Sequence, residues 1–248
     1  MRFLLVIWMV GLAGCVSVND SDISDSDRAQ RVQTLTTLAL GYIEQGSFDL
    51  AVQPLQRALQ LDPSDQEAML AQAVMLERQG DTDQADQAYL DLFKRHPDFT
   101  RGRQIYANYL FSAGRTAEAC QALDQVVSDT LFAARAQAFE NLGQCRERLG
   151  ETQAAIAAYE RAHRLDTRRP LPNLALAEDR FLQGEVQQAA FHFTQFQRAA
   201  QQSARSLWIG IRIADAIGDR ASQEKYEQAL SQQYRDTPEY SRWLEWRS

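Results

Sequence analysis

The sequence predicts an all-α fold, a right-handed superhelix of about six helix-turn-helix repeats. Gly46, Gly80, Gly114, Gly150, Gly184 and Gly218 are separated by 34, 34, 36, 34 and 34 residues. Each lies between two helix-like segments, where a residue tolerant of positive φ lets the chain leave one helix and start back along it. Small and large apolar residues recur at fixed distances from each glycine, which sets the register. Such a period marks stacked repeats, each of which buries its apolar face only against its neighbours.

In chain order, Met1 and Arg2 precede an apolar run from Phe3 to Leu12, then Ala13, Gly14 and Cys15. About ten apolar residues are too few to span a bilayer core of roughly 30 Å, so residues 1–14 are expected to be a signal peptide. Leu12-Ala13-Gly14-Cys15 resembles the bacterial lipobox. That resemblance implies that Cys15 becomes the first mature residue and carries diacylglycerol and an N-acyl chain, enough acyl surface for stable membrane attachment. Val16 and Ser17 follow, without the aspartate that tends to retain enteric lipoproteins at the inner membrane. The expected address is the periplasmic face of the outer membrane. Residues 15–31 are expected to form the lipidated cysteine and a flexible acidic tether, since Asn19 to Asp27 shows no apolar periodicity.

Residues 32–233 hold the six repeats, whose 34-residue period is that of tetratricopeptide (TPR) repeats. The first has Leu38, Ala39 and Tyr42 before Gly46, then Ala51, Leu55, Ala58 and Pro63. Ala73, Leu76, Ala85, Tyr89, Leu92 and Pro97 carry the register through the second. Small residues such as Ala39 and Ala51 let paired antiparallel helices approach closely, while Tyr42, Leu55 and Tyr89 fill the space around them; proline then ends the second helix. The third repeat has Ala107, Leu110, Ala119 and Leu123 but Leu131 in place of the closing proline, and the two extra residues of the 36-residue spacing fall near it. Leu142, Gly143, Ala155, Tyr159 and Ala162 mark the fourth, and Leu176, Ala177, Phe181, Ala189, Phe193 and Phe196 the fifth. In the sixth, Ile211 and Gln223 occupy small-residue slots, so its helices are expected to pack less regularly. Residues 234–248, with Pro238, Tyr240, Trp243 and Trp246, are expected to cap the open end.

The chain has 26 basic and 33 acidic residues; without Arg2 the balance is 25 against 33, a net charge of −8. An acidic body is repelled by phosphate backbones and anionic lipid surfaces, which argues against nucleic-acid binding and leaves attachment to Cys15. No HExxH, CxxC, GxSxG or phosphate-binding loop occurs, and His96, His163 and His192 lie in different repeats without metal-ligand spacing. No catalytic site, metal, cofactor or small-molecule substrate is expected. In an oxidising periplasm, Cys120 and Cys145 either bridge the second helix of repeat three to the first helix of repeat four or remain two buried thiols. Sequence does not supply the distance that decides between them. In TPR architecture the first helix of each repeat lines the concave face. By register that face includes Glu67, Leu70, Arg101, Gln104, Asn108, Phe111, Glu140, Gln144, Glu147 and Arg148, a mixture able to grip an extended or helical partner segment.

Two segments are more specific. One reads Tyr106-Ala107-Asn108-Tyr109-Leu110-Phe111, then Gly114-Arg115; the other reads Glu140-Asn141-Leu142-Gly143-Gln144-Cys145. Together with the leader and six repeats they resemble the PilW/PilF family of type IV pilus biogenesis and stability lipoproteins, over essentially the whole chain. Family members carry Asn-Tyr-Gly-x-Phe-Leu-Cys-x-x-Gly-Arg followed by Glu-Asn-x-Gly-x-Cys. Phe111 stands where the family places its first cysteine, leaving Cys120 on the neighbouring helix as the candidate partner of Cys145. The resemblance implies a pilotin, which binds secretin subunits, brings them to the outer membrane through its lipid and promotes their multimerisation. The alternative is a general periplasmic TPR scaffold that recruits cell-wall hydrolases or serves outer-membrane protein assembly.

Overall fold

The computed structural model describes residues 24–248, which form thirteen α-helices and no strand. The expected signal peptide and Cys15 lie outside the described residues. None of the described helices is long and apolar enough to cross a membrane. The chain forms two compact units, one ending at Arg95 and the other running from His96 to Ser248.

The first unit contains α1 (Asp25–Glu44), α2 (Phe48–Leu61), α3 (Gln66–Gln79) and α4 (Thr82–Arg95). Its first helix begins inside the stretch expected to be tether, so residues 25–31 are helical and that expectation is corrected. Ser24 caps the helix by accepting from the Asp27 amide at 3.2 Å, and Asp25 and Asp27 lie in the first turn. Carboxylates there are stabilised by the positive end of the helix dipole. The same acidic composition that suggests disorder thus also suits a helix start, and Val32, 3% exposed, ties it to the core. Ala39, Ala51 and Ala58 are fully buried between α1 and α2, with Ile43 and Leu55 around them. Gly46 ends α1 with φ 71°, and the Ser47 amide donates back to the Tyr42 carbonyl at 2.9 Å, satisfying an orphan acceptor of the helix end.

The second unit contains α5 (Thr100–Ser112), α6 (Thr116–Ser128), α7 (Arg135–Arg148), α8 (Thr152–Leu165), α9 (Pro170–Leu182), α10 (Val186–Ala199), α11 (Ala204–Ile217), α12 (Arg220–Gln233) and α13 (Pro238–Arg247). The junction 129–134 between α6 and α7 has six residues, where 166–169 and 200–203 have four, and this is the source of the 36-residue spacing. Asp129 organises it, accepting from the Leu131 amide at 2.9 Å and from Thr100 Oγ1 at 2.6 Å. Cys120 of α6 and Cys145 of α7 are joined as a disulfide, with Cα atoms 5.6 Å apart.

The helices of repeat six, expected to pack less regularly, pack closely. α11 buries Leu207, Ile209, Ile211 and Ile213 in a core cluster with Phe193, Phe196, Tyr226 and Leu230. Gly210, one residue before the non-small Ile211, supplies the close approach instead: a Cβ there would lie 2.6 Å from the Phe193 ring and 3.2 Å from Tyr226. The C-terminal α13 packs on α11, with Trp243 buried and the Trp246 ring edge-on to Trp208 at 6.0 Å.

Gly143 is the corresponding point of closest approach between α7 and α8. A Cβ there would meet Tyr159 Cδ1 at 2.6 Å and Cζ at 2.8 Å. Tyr159 cannot swing away, being 1% exposed and donating its hydroxyl to Glu147 at 2.8 Å. Alanine gains about 1 kcal/mol over glycine in a helix interior, but overpacking a pinned ring costs about 1–3 kcal/mol, so the clash wins. Gly143→Ala is expected to lower the urea midpoint. Gly41→Ala, in α1 with nothing near the new methyl, is expected to raise it. Equal shifts for the two variants would contradict this account of the packing.

Candidate partner-binding surfaces

In the second unit, side chains of α5, α7, α9 and α11 link from helix to helix along one face. Phe111 of α5 lies under the Arg148 guanidinium of α7, 4.5 Å from ring centre to Cζ. Asn141 donates to Asn108 Oδ1 at 3.1 Å and accepts from Gln137 at 2.7 Å. Arg205 of α11 is bidentate to Glu178 of α9, at 2.8 and 2.6 Å, and reaches Glu147 of α7 at 2.9 Å. These hydrogen bonds raise the Arg205 pKa despite its burial.

This arrangement revises the residues expected to grip a partner. Arg101 and Asn108 are exposed, Gln104, Phe111 and Gln144 half-buried, and Arg148 exposed apart from its contact with Phe111. Glu140 does not belong on an accessible face: it is 9% exposed and ion-paired to Arg169, which also bonds Gln137. Leu70 is likewise corrected, being 3% exposed in the core of the first unit. The segment Glu140-Asn141-Leu142-Gly143-Gln144-Cys145 is a structural device. Its glutamate fixes the start of α9, its asparagine ties α7 to α5, its glycine admits Tyr159, and its cysteine holds α6.

The first unit exposes a different surface. Leu35, Leu38, Tyr42, Leu50, Pro54 and Arg57 line a groove of about 580 Å³ between α1 and α2. Leu38 is 47% exposed and Leu50 58%. Leu38 occupies the slot filled by Leu142 and Leu176 in later repeats. Those two are buried, Leu176 against Ala155 and Tyr159 of the preceding helix, whereas no described helix precedes α1. Leu50 is more telling. Counted from the repeat glycines, its counterparts are Gln84, Glu118, Ala154, Gln188 and Ser222. A leucine at a slot that is elsewhere polar or small contributes nothing to the repeat core.

His163 of α8 and His192 of α10, read from the sequence as unrelated, lie together with ring centres 4.9 Å apart. Adjacent second helices bring them together, a proximity that counting each repeat separately conceals. Among the described residues no three potential metal-ligating groups converge. Asn173, fully buried, uses its amide on the Thr167 and Arg169 carbonyls and meets His192 Nδ1 at 3.3 Å with its oxygen. Burial, with His163 and Arg180 adding to it, pushes the His192 pKa down to about 4; burial lowers His163 as well. An unfolded chain has its imidazoles at about 6.5. Between that value and about 4, acid protonates the unfolded chain but not the folded His192. Stability is therefore expected to fall as pH drops through this window. Urea midpoints at pH 7.5 and 4.5 should differ less for His192→Gln than for wild type; identical differences would exclude the histidine as a source.

The tetratricopeptide repeat model matches residues 36–98, 77–133 and 106–170. Across 239 residues, 96% of this chain and 95% of the relative, the sequence is 30% identical to the type IV pilus assembly protein PilF of Pseudomonas aeruginosa. The chain belongs to the PilF family. A solved structure from the functional characterisation of Pseudomonas aeruginosa PilF superposes with a TM-score of 0.76 at 29% identity, covering 88% of this chain and 98% of that one. The crystal structure of PilW, described as a widely conserved type IV pilus biogenesis factor, shares the fold with a TM-score of 0.62 at 24% identity, over 87% and 99% of the two chains. Like other tetratricopeptide proteins, a PilF-family chain is a helical protein-binding scaffold.

Proposed function

We propose that this protein is a pilotin of the type IV pilus machinery. Anchored by acyl chains on Cys15 at the periplasmic face of the outer membrane, it binds secretin subunits and promotes their localisation and multimerisation. Similarity to the PilF of Pseudomonas aeruginosa along nearly the full length of both chains carries this reading. The leader ending in Leu12-Ala13-Gly14-Cys15 supports the anchor. The exposed Leu38 and Leu50 groove of the first repeat supplies a gripping surface for an apolar segment of the partner. The mechanism consists of binding and delivery, with no catalytic step, cofactor or nucleic acid: repeats hold the subunit, and the lipid sets where it is released.

Deleting the gene is expected to abolish heat-resistant secretin multimers in outer-membrane extracts. Wild type should restore them, and Cys15→Ala, present but unlipidated, should restore them poorly. Normal multimers and normal pili in the deletion strain would reject the pilotin reading and favour a general periplasmic scaffold.

A further inference from the structure

A second groove, remote in sequence from the first-repeat surface, lies between α9, α11 and α13. It encloses about 250 Å³ and is walled by Leu182, Trp208, Arg212, Glu239 and Arg242, with the Arg205 and Glu178 pair at its edge. Leu182, at the end of α9, is 74% exposed. Arg212 is clasped by two aromatic rings, its Cζ 4.4 Å from the centre of Phe181 and 5.6 Å from that of Trp208. Stacking holds the guanidinium plane in place and leaves its N–H edge to bond.

The arginines define what the groove can take. Glu178 is the acid nearest in influence to Arg212, but both its oxygens are engaged by Arg205. Among the described residues no carboxylate lies within ion-pairing distance of Arg212 or Arg242, and Glu239, across the groove, is paired with neither. Burial holds the Arg212 pKa below its usual value, against the opposing pull of the Glu178 carboxylate. With Arg205 neutralised by Glu178 and Glu147, Arg212 and Arg242 remain as two arginines without an ion-pair partner, facing Glu239. Next to this groove a smaller cavity of about 160 Å³ shares Glu178, Leu182 and Arg205; Ala155, Ile156 and Ala175 line it, with Glu147 and Asp179 at its wall engaged by Arg205 and Arg180. A groove bearing two unpaired arginines and a mainly apolar cavity, sharing Leu182, suit a polypeptide that presents two different side chains in succession, which a small free anion lacks.

We propose that this groove binds an acidic linear peptide segment in which an aspartate or glutamate stands beside an apolar residue. The carboxylate meets Arg212 and Arg242, and the apolar side chain enters the cavity lined by Ile156. The site is independent of the first-repeat groove, and its failure leaves the pilotin reading untouched.

The test is selection of a displayed library of random heptapeptides on the full mature chain bearing Cys15→Ala, followed by titration of the enriched peptides. Enriched sequences should pair an acidic with an adjacent apolar residue, should quench or shift the fluorescence of Trp208, and should bind more weakly in high salt. Arg212→Gln should weaken them about tenfold, as expected for loss of a partly buried charge pair, and Arg242→Gln, at an exposed position, should weaken them by about threefold. Glu239→Gln should strengthen them. Arg242 and Leu182 lie at the surface, so if Arg212→Gln loses helical signal, Arg242→Gln and Leu182→Ser decide the matter. No enrichment of acidic-apolar pairs, or enriched peptides that bind the arginine variants like wild type, would overturn the proposal.

Discussion

Replacing both Cys120 and Cys145 by alanine should destabilise the second unit by about 4 kcal/mol. The bridge spans 25 residues, and closing a loop of that size in the unfolded chain is worth about 3.5 kcal/mol in the chain-entropy estimate. Both sulfurs are buried, Cys120 at 1% and Cys145 at 0% exposure, so alanine adds only a small cavity cost and no unsatisfied hydroxyl. The location explains why a covalent link matters here. The junction 129–134 lacks the closing proline of the first two repeats and is two residues longer than 166–169 or 200–203, so the α6 to α7 turn is less constrained by its own sequence. The measurement is convenient because Trp208, Trp243 and Trp246 all lie in this unit. Fluorescence-detected urea unfolding should shift to lower denaturant in the double variant and in wild type treated with reductant. Two thiols open to alkylation in the unreduced, denatured protein would show that the bond is not made.

Fold and site differ in how far the sequence discloses them. The repeat glycines declare the architecture because a helix that ends in a left-handed residue needs glycine, and all six adopt φ between 71° and 85°. The alanines that let helices meet are legible for the same kind of steric reason. Where steric roles can be exchanged between neighbours, sequence reading fails: Gly210 performs the task assigned to residue 211, and the repeat looked degenerate only because the small residue had moved by one position. At the other end, Asp25 and Asp27 read as solvated tether because composition alone does not separate disorder from a capped helix start. The candidate partner surface was the least legible part. Register places residues on a face but is silent on what they bond across it: Glu140 falls on the concave face by register, yet Arg169, 29 residues on, engages it. The motif carrying the family resemblance proves to be architecture. Leu38 reads as core because its slot is apolar in later repeats, whereas Leu50 stands at a slot that is polar or small in every other repeat.

Leu38→Asp with Leu50→Asp should reduce secretin multimers to the level of the deletion strain while leaving the protein folded and attached. Both side chains are about half exposed, 47% and 58%, and surface substitutions away from caps and cores usually change stability by within about 0.5 kcal/mol. If a partner's apolar segment covers the groove, each leucine still has about half its surface to bury, some 1–1.5 kcal/mol apiece at about 25 cal/mol per Å². A carboxylate covered by the same segment without a counterion costs at least about that much again, so the pair should weaken binding by well over about a hundredfold. Gln84→Asp, at the Leu50 slot of the second repeat, is the control and should leave multimers intact, since the position is already polar. Normal multimers in the double variant would remove the first-repeat groove from the mechanism even if deletion and Cys15→Ala behave as expected. In that event the secretin must be held elsewhere on the repeats, and the exposed Arg101 and Asn108 would be the next positions to charge or truncate.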